Sequence, residues 1–237
     1  MKLYDFPWGV YPRRVQIYLK EKGRTLSTED FFPGSPGWPP QALLDVNPAG
    51  KLPVLLTDEG VAITQSLGIL AYLEAVFADP PMTGSTLLEK GRVAELIQLA
   101  DEATTAFGFW ARSVSPLFAG RGPQSLDAAR VAAEQYARVL AEIDGNLEAD
   151  QPFLIGDRPT IADCVLMPVL QFSSEFYGVA LPDAFPKLRG WFDSFWARDS
   201  VAKHTYPPEL HAVARGLEAQ SGFALTDVTE RQEARLT

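Results

Sequence analysis

The hydrophobic rhythm of this chain changes once along its length, and that change limits the folds open to it. Over residues 1 to about 78, short strand-like runs alternate with helical stripes; from about 88 onward only helical periodicity remains. Leu3, Tyr4 and Phe6 form a short apolar strand, ended by Pro7 and Gly9. Val15, Tyr18, Leu19 and Lys22 then recur at helical spacing, and Gly23 closes that stripe. A second strand is expected near Ser27–Phe32, before a loop rich in Pro and Gly from Pro33 to Pro40. Gln41 to Val46 makes a short helix at most, stopped by Asn47-Pro48-Ala49-Gly50. Val54–Thr57 and Val61–Ile63 read as two strands around the tight turn Asp58-Glu59-Gly60. A helix follows, with Ile69, Leu73, Val76 and Phe77 expected on its buried face.

The resulting order, β-α-β-(α)-β-β-α, is that of a thioredoxin-like domain, expected over residues 1–78. Ala78 to Gly84 is dense in breakers, and 79–87 reads as a linker. Beyond it an all-helical domain is expected over 88–207. Its stripes are Val93, Leu96, Ile97, Ala100 and Ala103; then Tyr136, Leu140, Ile143 and Leu147; then Leu188, Trp191, Phe192, Phe195 and Trp196. Periodicity fades after about 207, so 208–237 is expected to be a tail.

Composition removes several function classes. A net charge of −9 disfavours a nucleic-acid partner, although clustered cations can still hold a small anion. No run approaches the ~18 apolar residues of a membrane helix, and the opening Met1-Lys2-Leu3-Tyr4-Asp5 does not read as a secretory signal. The lone Cys164 leaves no internal disulfide and suits a reducing, cytoplasmic setting. That cysteine with only His204 and His211 fits no usual zinc spacing, and neither a P-loop nor a Gly-x-Gly-x-x-Gly run occurs. Neither a metal nor a nucleotide cofactor is expected.

Three segments carry the chemistry. In Asn47-Pro-Ala-Gly-Lys-Leu-Pro-Val-Leu, a cis Leu52–Pro53 bond would turn the backbone of Leu52 toward solvent, where a peptide ligand adds like a strand. An ordinary trans loop proline is the plainer reading, and spacing alone favours it. In Thr64-Gln65-Ser66, Ser66 reads as an N-cap, and the helix start behind it can hold a carboxylate beside Gln65. Lys51 is available for a second carboxylate. In Tyr4 to Val15, Pro12 suits a first helical turn, so that helix start would face an anion over Gly9–Tyr11. Arg13 and Arg14, taken singly, read as solvated or salt-bridged within the fold.

Asn47 to Leu55, followed by Ile63-Thr-Gln-Ser-Leu-Gly-Ile-Leu-Ala-Tyr-Leu, resembles the glutathione-site pattern of glutathione S-transferases. Gly156-Asp-Arg-Pro-Thr-Ile-Ala-Asp163 resembles that family's buried capping box. The likeness runs in order from residue 1 to about 205, and the opening is similar to a fungal and bacterial branch that lacks the usual catalytic side chain. It implies a thioredoxin-like plus all-helical architecture, glutathione as co-substrate, an apolar electrophile as second substrate, a homodimer and a role in detoxification. Leu52, beside a cis-Pro53, would pair with the cysteinyl backbone of glutathione. Gln65 and Ser66 would hold the γ-glutamyl carboxylate and Lys51 the glycyl carboxylate. Asp101 would reach the γ-glutamyl amine of the neighbouring subunit. The serine or cysteine that many members place before the first helix is missing; Gly9-Val10-Tyr11 stands there. Phe109 to Ser115 likewise lacks a histidine that would hold a catalytic water. Tyr11 is then the candidate catalytic donor to the thiolate, with a backbone N–H of Gly9 to Tyr11, or a water, as its rival. Trp8, Tyr11, Phe107, Trp110 and Phe118 are expected to line the second-substrate pocket between the domains, or else to be ordinary core. The alternative function is a glutathione-binding module without catalysis, or a redox sensor.

Overall fold

The computed structural model describes residues 1–149 and 151–226. It divides into two compact units, Met1–Met82 with Asp199–Ala202, and Thr83–Arg198 with the described residues 203–226.

The first unit is built on a four-stranded sheet in the order β2-β1-β3-β4, with β1 Lys2–Asp5, β2 Ser27–Asp30, β3 Val54–Leu56 and β4 Ala62–Thr64. β1 and β2 run parallel, joined by helix α1 (Val10–Glu21), because a parallel pair needs a crossover. β3 is antiparallel to both β1 and β4. The hairpin between β3 and β4 closes on Gly60, whose φ of 76° is open to glycine at little cost. This is the thioredoxin-like arrangement expected from the element order. Side chains alternate across the sheet. Tyr4 and Val54 share one face with Leu43 of the short helix α2 (Gln41–Leu44), packed by Phe31, Trp38 and Leu52. Their neighbours Leu3 and Leu55, paired across β1 and β3, are buried on the opposite face.

Helix α3 (Ser66–Val76) packs against α1 through a buried polar knot. Lys22, at the end of α1, lies 2.8 Å from Glu74 with its side chain 0% exposed, and also donates to the carbonyls of Phe77 and Pro80. Glu74 in turn accepts from Tyr18 Oη and from the Met82 N–H, each at 2.7 Å. The α1 stripe therefore ends on a buried, paired lysine instead of a solvated one. On α3, Ile69, Leu70 and Leu73 are buried, whereas Val76 is 46% exposed. Val76 was expected to be buried and is not: it keeps the helical spacing but is the last residue of α3, where little is left to pack against.

The second unit is helical throughout: α4 Leu87–Val114, α5 Leu126–Asn146, α6 Ile161–Glu175, α7 Pro186–Trp196, α8 Pro208–Ala214 and α9 Leu217–Ser221, with a 3-10 turn at Pro116–Phe118. α4 starts at a complete capping box, Thr86 with Glu89. α6 is buried along almost its whole length and is seated by Asp163. Oδ1 of Asp163 accepts from the Leu154 N–H (2.9 Å) and Trp191 Nε1 (2.8 Å). Oδ2 accepts from the Thr160 N–H (2.7 Å) and the Thr160 hydroxyl (2.8 Å). Burial pushes this carboxyl's pKa up against the pull of its four donors. Part of the stretch expected as a tail is structured: α8 buries Ala214, α9 buries Leu217, and just past α9 Phe223 is buried with its ring edge-on to Trp110 at 6.1 Å. Residues 227–237 of that stretch lie outside the described residues.

Asp163→Asn should destabilise the protein by about 2 kcal/mol or more, since the new amide leaves at least one of the four donors facing another donor. Thr160→Ala, which deletes one hydroxyl, should cost only about 1 kcal/mol. Urea unfolding checks both, and native stability in Asp163→Asn would contradict the role given to this carboxylate.

Candidate functional site

Strand register brings the three informative segments to one place. Val54 pairs with Tyr4 on one side and with Thr64 on the other. The residues before Val54, which are Leu52 and Pro53, therefore sit at the same end of the sheet as those after Thr64, which are Gln65 and Ser66. The loop after β1, which leads through Phe6 and Trp8 into α1, leaves from that end too. The Leu52–Pro53 bond is cis. Among the described residues the N–H and C=O of Leu52 make no hydrogen bond, although Leu52 borders β3. Lys51 is exposed and, among the described residues, forms no ion pair; its carbonyl accepts from Asn47 Nδ2 at 2.8 Å.

Both helix starts at this end carry unused donors. α3 has no side-chain cap, and its first intrahelical bond is Ile69 N–H to Gln65 O at 3.0 Å. The N–H groups of Ser66, Leu67 and Gly68 are thus available to an anion. Ser66 was expected to cap the helix. It is instead the first helical residue, and Gln65 occupies the cap position with φ 70° and ψ 121°. Gln65 is the one non-glycine residue with positive φ among those described. Such a conformation costs roughly 1–3 kcal/mol and is held by its surroundings. Ser66 is buried, and its Oγ accepts from Arg14 Nη1 at 3.3 Å.

At α1 the cap is Gly9, whose N–H is taken by the Phe6 carbonyl at 2.9 Å, while Arg13 N–H returns to Gly9 O at 3.0 Å. Pro12 has no N–H, so Val10 and Tyr11 supply the free donors there. Gly9 does not simply lack a side chain. A Cβ at this position would lie 2.6 Å from Cδ1 of Phe6, so a serine or cysteine here would displace that ring. Tyr11 is 40% exposed, and its ring lies under the Arg14 guanidinium, 4.8 Å from centroid to Cζ. Arg13 and Arg14 are 1% and 0% exposed, so of the two readings given for them, solvated or salt-bridged within the fold, burial removes the first. Asp5, at the end of β1, is buried as well; it accepts from Gln16 Nε2 and the Phe6 N–H, and burial raises its pKa.

Comparison with known proteins decides the family. Residues 8–76 match the model of the glutathione S-transferase N-terminal domain, and residues 109–199 that of the C-terminal domain. The chain is 30% identical to glutathione S-transferase 2 of Saccharomyces cerevisiae, over 86% of this chain and 88% of that protein. The chain belongs to the glutathione S-transferase superfamily. It is also 32% identical to maleylacetoacetate isomerase of Pseudomonas aeruginosa, over 80% of this chain and 88% of the relative. Among solved structures it is similar to a glutathione S-transferase of Methylobacterium radiotolerans in complex with glutathione sulfonate, with 26% identity and a TM-score of 0.68, covering 87% and 97% of the two chains.

The helical unit carries the remaining candidate residues. Asp101 lies half-buried on α4. Phe107 and Trp110 are 3% and 0% exposed and pack with Tyr136 inside the helical unit, with ring centroids 5.3 Å and 6.3 Å away. Of the two readings offered for them, core and pocket lining, their burial fits core. Trp8 and Phe118 are half-buried, and Trp8 packs on Phe6 at 4.3 Å. The sequence reading missed Arg14 as a partner of Ser66. Both residues stood among the named segments, but no pattern links positions 52 residues apart.

The strain at Gln65 has a measurable signature. Gln65→Gly should be more stable than Gln65→Ala by about 1 kcal/mol, the reverse of the usual order, because only glycine accepts this φ at little cost. Thermal or urea unfolding of the two variants checks it; a more stable alanine variant would mean that the backbone here is unstrained.

Proposed function

We propose that this protein binds glutathione at the sheet end and transfers its thiolate to an apolar electrophilic small molecule. The observation that carries the reading is the convergence of two uncapped helix starts with the unpaired backbone of Leu52. A tripeptide with two carboxylates and a thiol matches that set of donors. The γ-glutamyl carboxylate would sit on Ser66 and the α3 N–H groups beside Gln65, the cysteinyl backbone on Leu52, and the glycyl carboxylate near Lys51. The thiolate would then face the start of α1. The known relatives support glutathione as the co-substrate, since one of the similar structures holds a glutathione derivative.

Ionising the thiol requires no general base. Lowering a thiol pKa from about 8.5 by two units needs roughly 2.7 kcal/mol of preference for the anion. A helix start contributes about 0.3–1 kcal/mol. One hydrogen bond to a charged acceptor adds about 1.5–3 kcal/mol. The sum is reached by α1 with a single donor. Tyr11 is that donor in this reading, and the N–H groups of Val10 and Tyr11 are its rivals; Gly9 is removed from the contest because Phe6 already holds its N–H. Trp8 and Tyr11 would meet the apolar second substrate near this helix start.

A homodimer belongs to the same reading. α4 and α5 enclose an open groove of about 610 Å³ lined by Ala106, Phe109, Ala128 and Val131. Phe109 and Val131 are 58% and 64% exposed, an apolar surface that a second copy would cover. Asp101, on α4, would then reach the glutathione amine in the neighbouring subunit. Among the described residues no helix is long and apolar enough to cross a membrane.

Two variants separate binding from activation. Lys51→Ala should raise the KM for glutathione several-fold at nearly constant kcat, because its carboxylate contact is the same in ground and transition states. Tyr11→Phe should raise the pKa of the bound thiol, read from thiolate ultraviolet absorbance, with KM little changed. A large loss of kcat in Lys51→Ala, or an unchanged thiol pKa in Tyr11→Phe, would remove that residue from its role. For the dimer, sedimentation should give twice the chain mass, and Asp101→Asn should weaken glutathione binding; a monomer with full affinity would exclude the shared site.

A further inference from the structure

Arg14 touches both halves of the site described above. Its guanidinium is 0% exposed, stacks on the Tyr11 ring at 4.8 Å and donates through Nη1 to Ser66 Oγ at 3.3 Å. Tyr11 is on α1, one turn before Arg14, and Ser66 opens α3. One buried cation thus spans the thiol end and the carboxylate end of the proposed pocket.

The chemistry of the serine gives this contact a direction. A hydroxyl has one proton and two lone pairs. With a lone pair of Ser66 filled by a guanidinium N–H, its own proton is left to donate, and the acceptor best suited to it is a carboxylate. An arginine in this position therefore takes one of the two lone pairs of Ser66 and favours use of its proton toward the ligand. Its charge would lie about 6 Å from that carboxylate, two hydrogen-bond lengths away, in a setting that solvent screens weakly. The same guanidinium holds the Tyr11 ring through its π-face and leaves the hydroxyl end free to turn outward.

We propose that Arg14 is a positioning residue that orients Ser66 and Tyr11 together, so that seating the γ-glutamyl carboxylate and ionising the thiol depend on one buried cation. The proposal rests on the glutathione reading above. Lysine would keep the charge but lose both the fork and the flat face that stacks on tyrosine, so Arg14→Lys isolates geometry from charge.

The experiment compares wild type with Arg14→Lys, Ser66→Ala, Tyr11→Phe and the double variant Arg14→Lys/Ser66→Ala. Glutathione KM, bound-thiol pKa and the melting curve are measured for each. Arg14→Lys should raise the KM about tenfold, the size expected for a lost charge-assisted contact, and should also raise the thiol pKa. Ser66→Ala should raise the KM alone and Tyr11→Phe the thiol pKa alone, so only Arg14 moves both. The double variant should show a KM no higher than the worse single variant, as for partners in one contact. A folded Arg14→Lys protein with native KM and thiol pKa, or strictly additive effects in the double variant, would overturn the proposal. If Arg14→Lys does not fold, the wild-type protein supplies the test: the Arg14 Nε–H NMR signal should shift on saturation with glutathione, and a stationary signal overturns the proposal. Failure of wild type to saturate with glutathione would instead overturn the functional reading itself, and this proposal with it.

Discussion

The pairing of Val54 with Tyr4 and with Thr64 fixes where the working parts of the first unit must lie. Because β3 is antiparallel to both neighbours, the segment entering β3 and the segments leaving β1 and β4 share one end of the sheet. The two outgoing segments lead into α1 and α3. Two helix starts are thereby brought beside the unpaired backbone of Leu52, and the Arg14–Ser66 contact closes the gap between them. A slip of one residue in β3 would turn Val54 and Leu52 to the other face and separate these groups.

On the proposed reading, this geometry lets an acidic protein hold a ligand with two carboxylates. The net charge of −9 acts over the whole surface and is screened within about 10 Å at ordinary ionic strength. The sheet end instead presents short-range donors: the N–H groups of Ser66–Gly68, those of Val10 and Tyr11, the Ser66 hydroxyl and the exposed Lys51. Arg14 contributes from beneath, where little water competes. Its burial is matched further along α1 by Lys22, paired to Glu74, so the α1–α3 seam carries buried polar links at both ends. The strain at Gln65 sits at the same seam, where the chain must leave β4 and enter α3 without a capping side chain.

Much of this was legible in the sequence, and the losses have physical causes. Periodicity located α1, α3, α4, α5 and α7, because it depends on local repeats, whereas the start of α6 came from the family resemblance of Gly156 to Asp163. Ser66 was misassigned as a cap because Gln65 gives no sign of a positive φ; nothing in a glutamine announces a conformation usually reserved for glycine. For Arg13 and Arg14 the sequence left solvated and salt-bridged readings open, since charged residues are usually exposed, and only the fold shows them buried. Val76 keeps the spacing of a buried position but lies in the final turn, where the helix has little left to pack on. The short helices α8 and α9 give too few turns for a periodic signal, and they are ordered by docking residues such as Leu217 and Phe223. The cis bond at Leu52–Pro53 came from the family resemblance and not from spacing.

The most direct test of this account is a crystal structure of the protein with glutathione bound. The account predicts one glutathione per chain at the end of the sheet, its γ-glutamyl carboxylate on Ser66 Oγ and the first N–H groups of α3, its cysteinyl backbone paired with Leu52, and its sulfur facing Val10 and Tyr11. Glutathione bound with these donors left unoccupied, or no glutathione in crystals grown at saturating concentration, would contradict it.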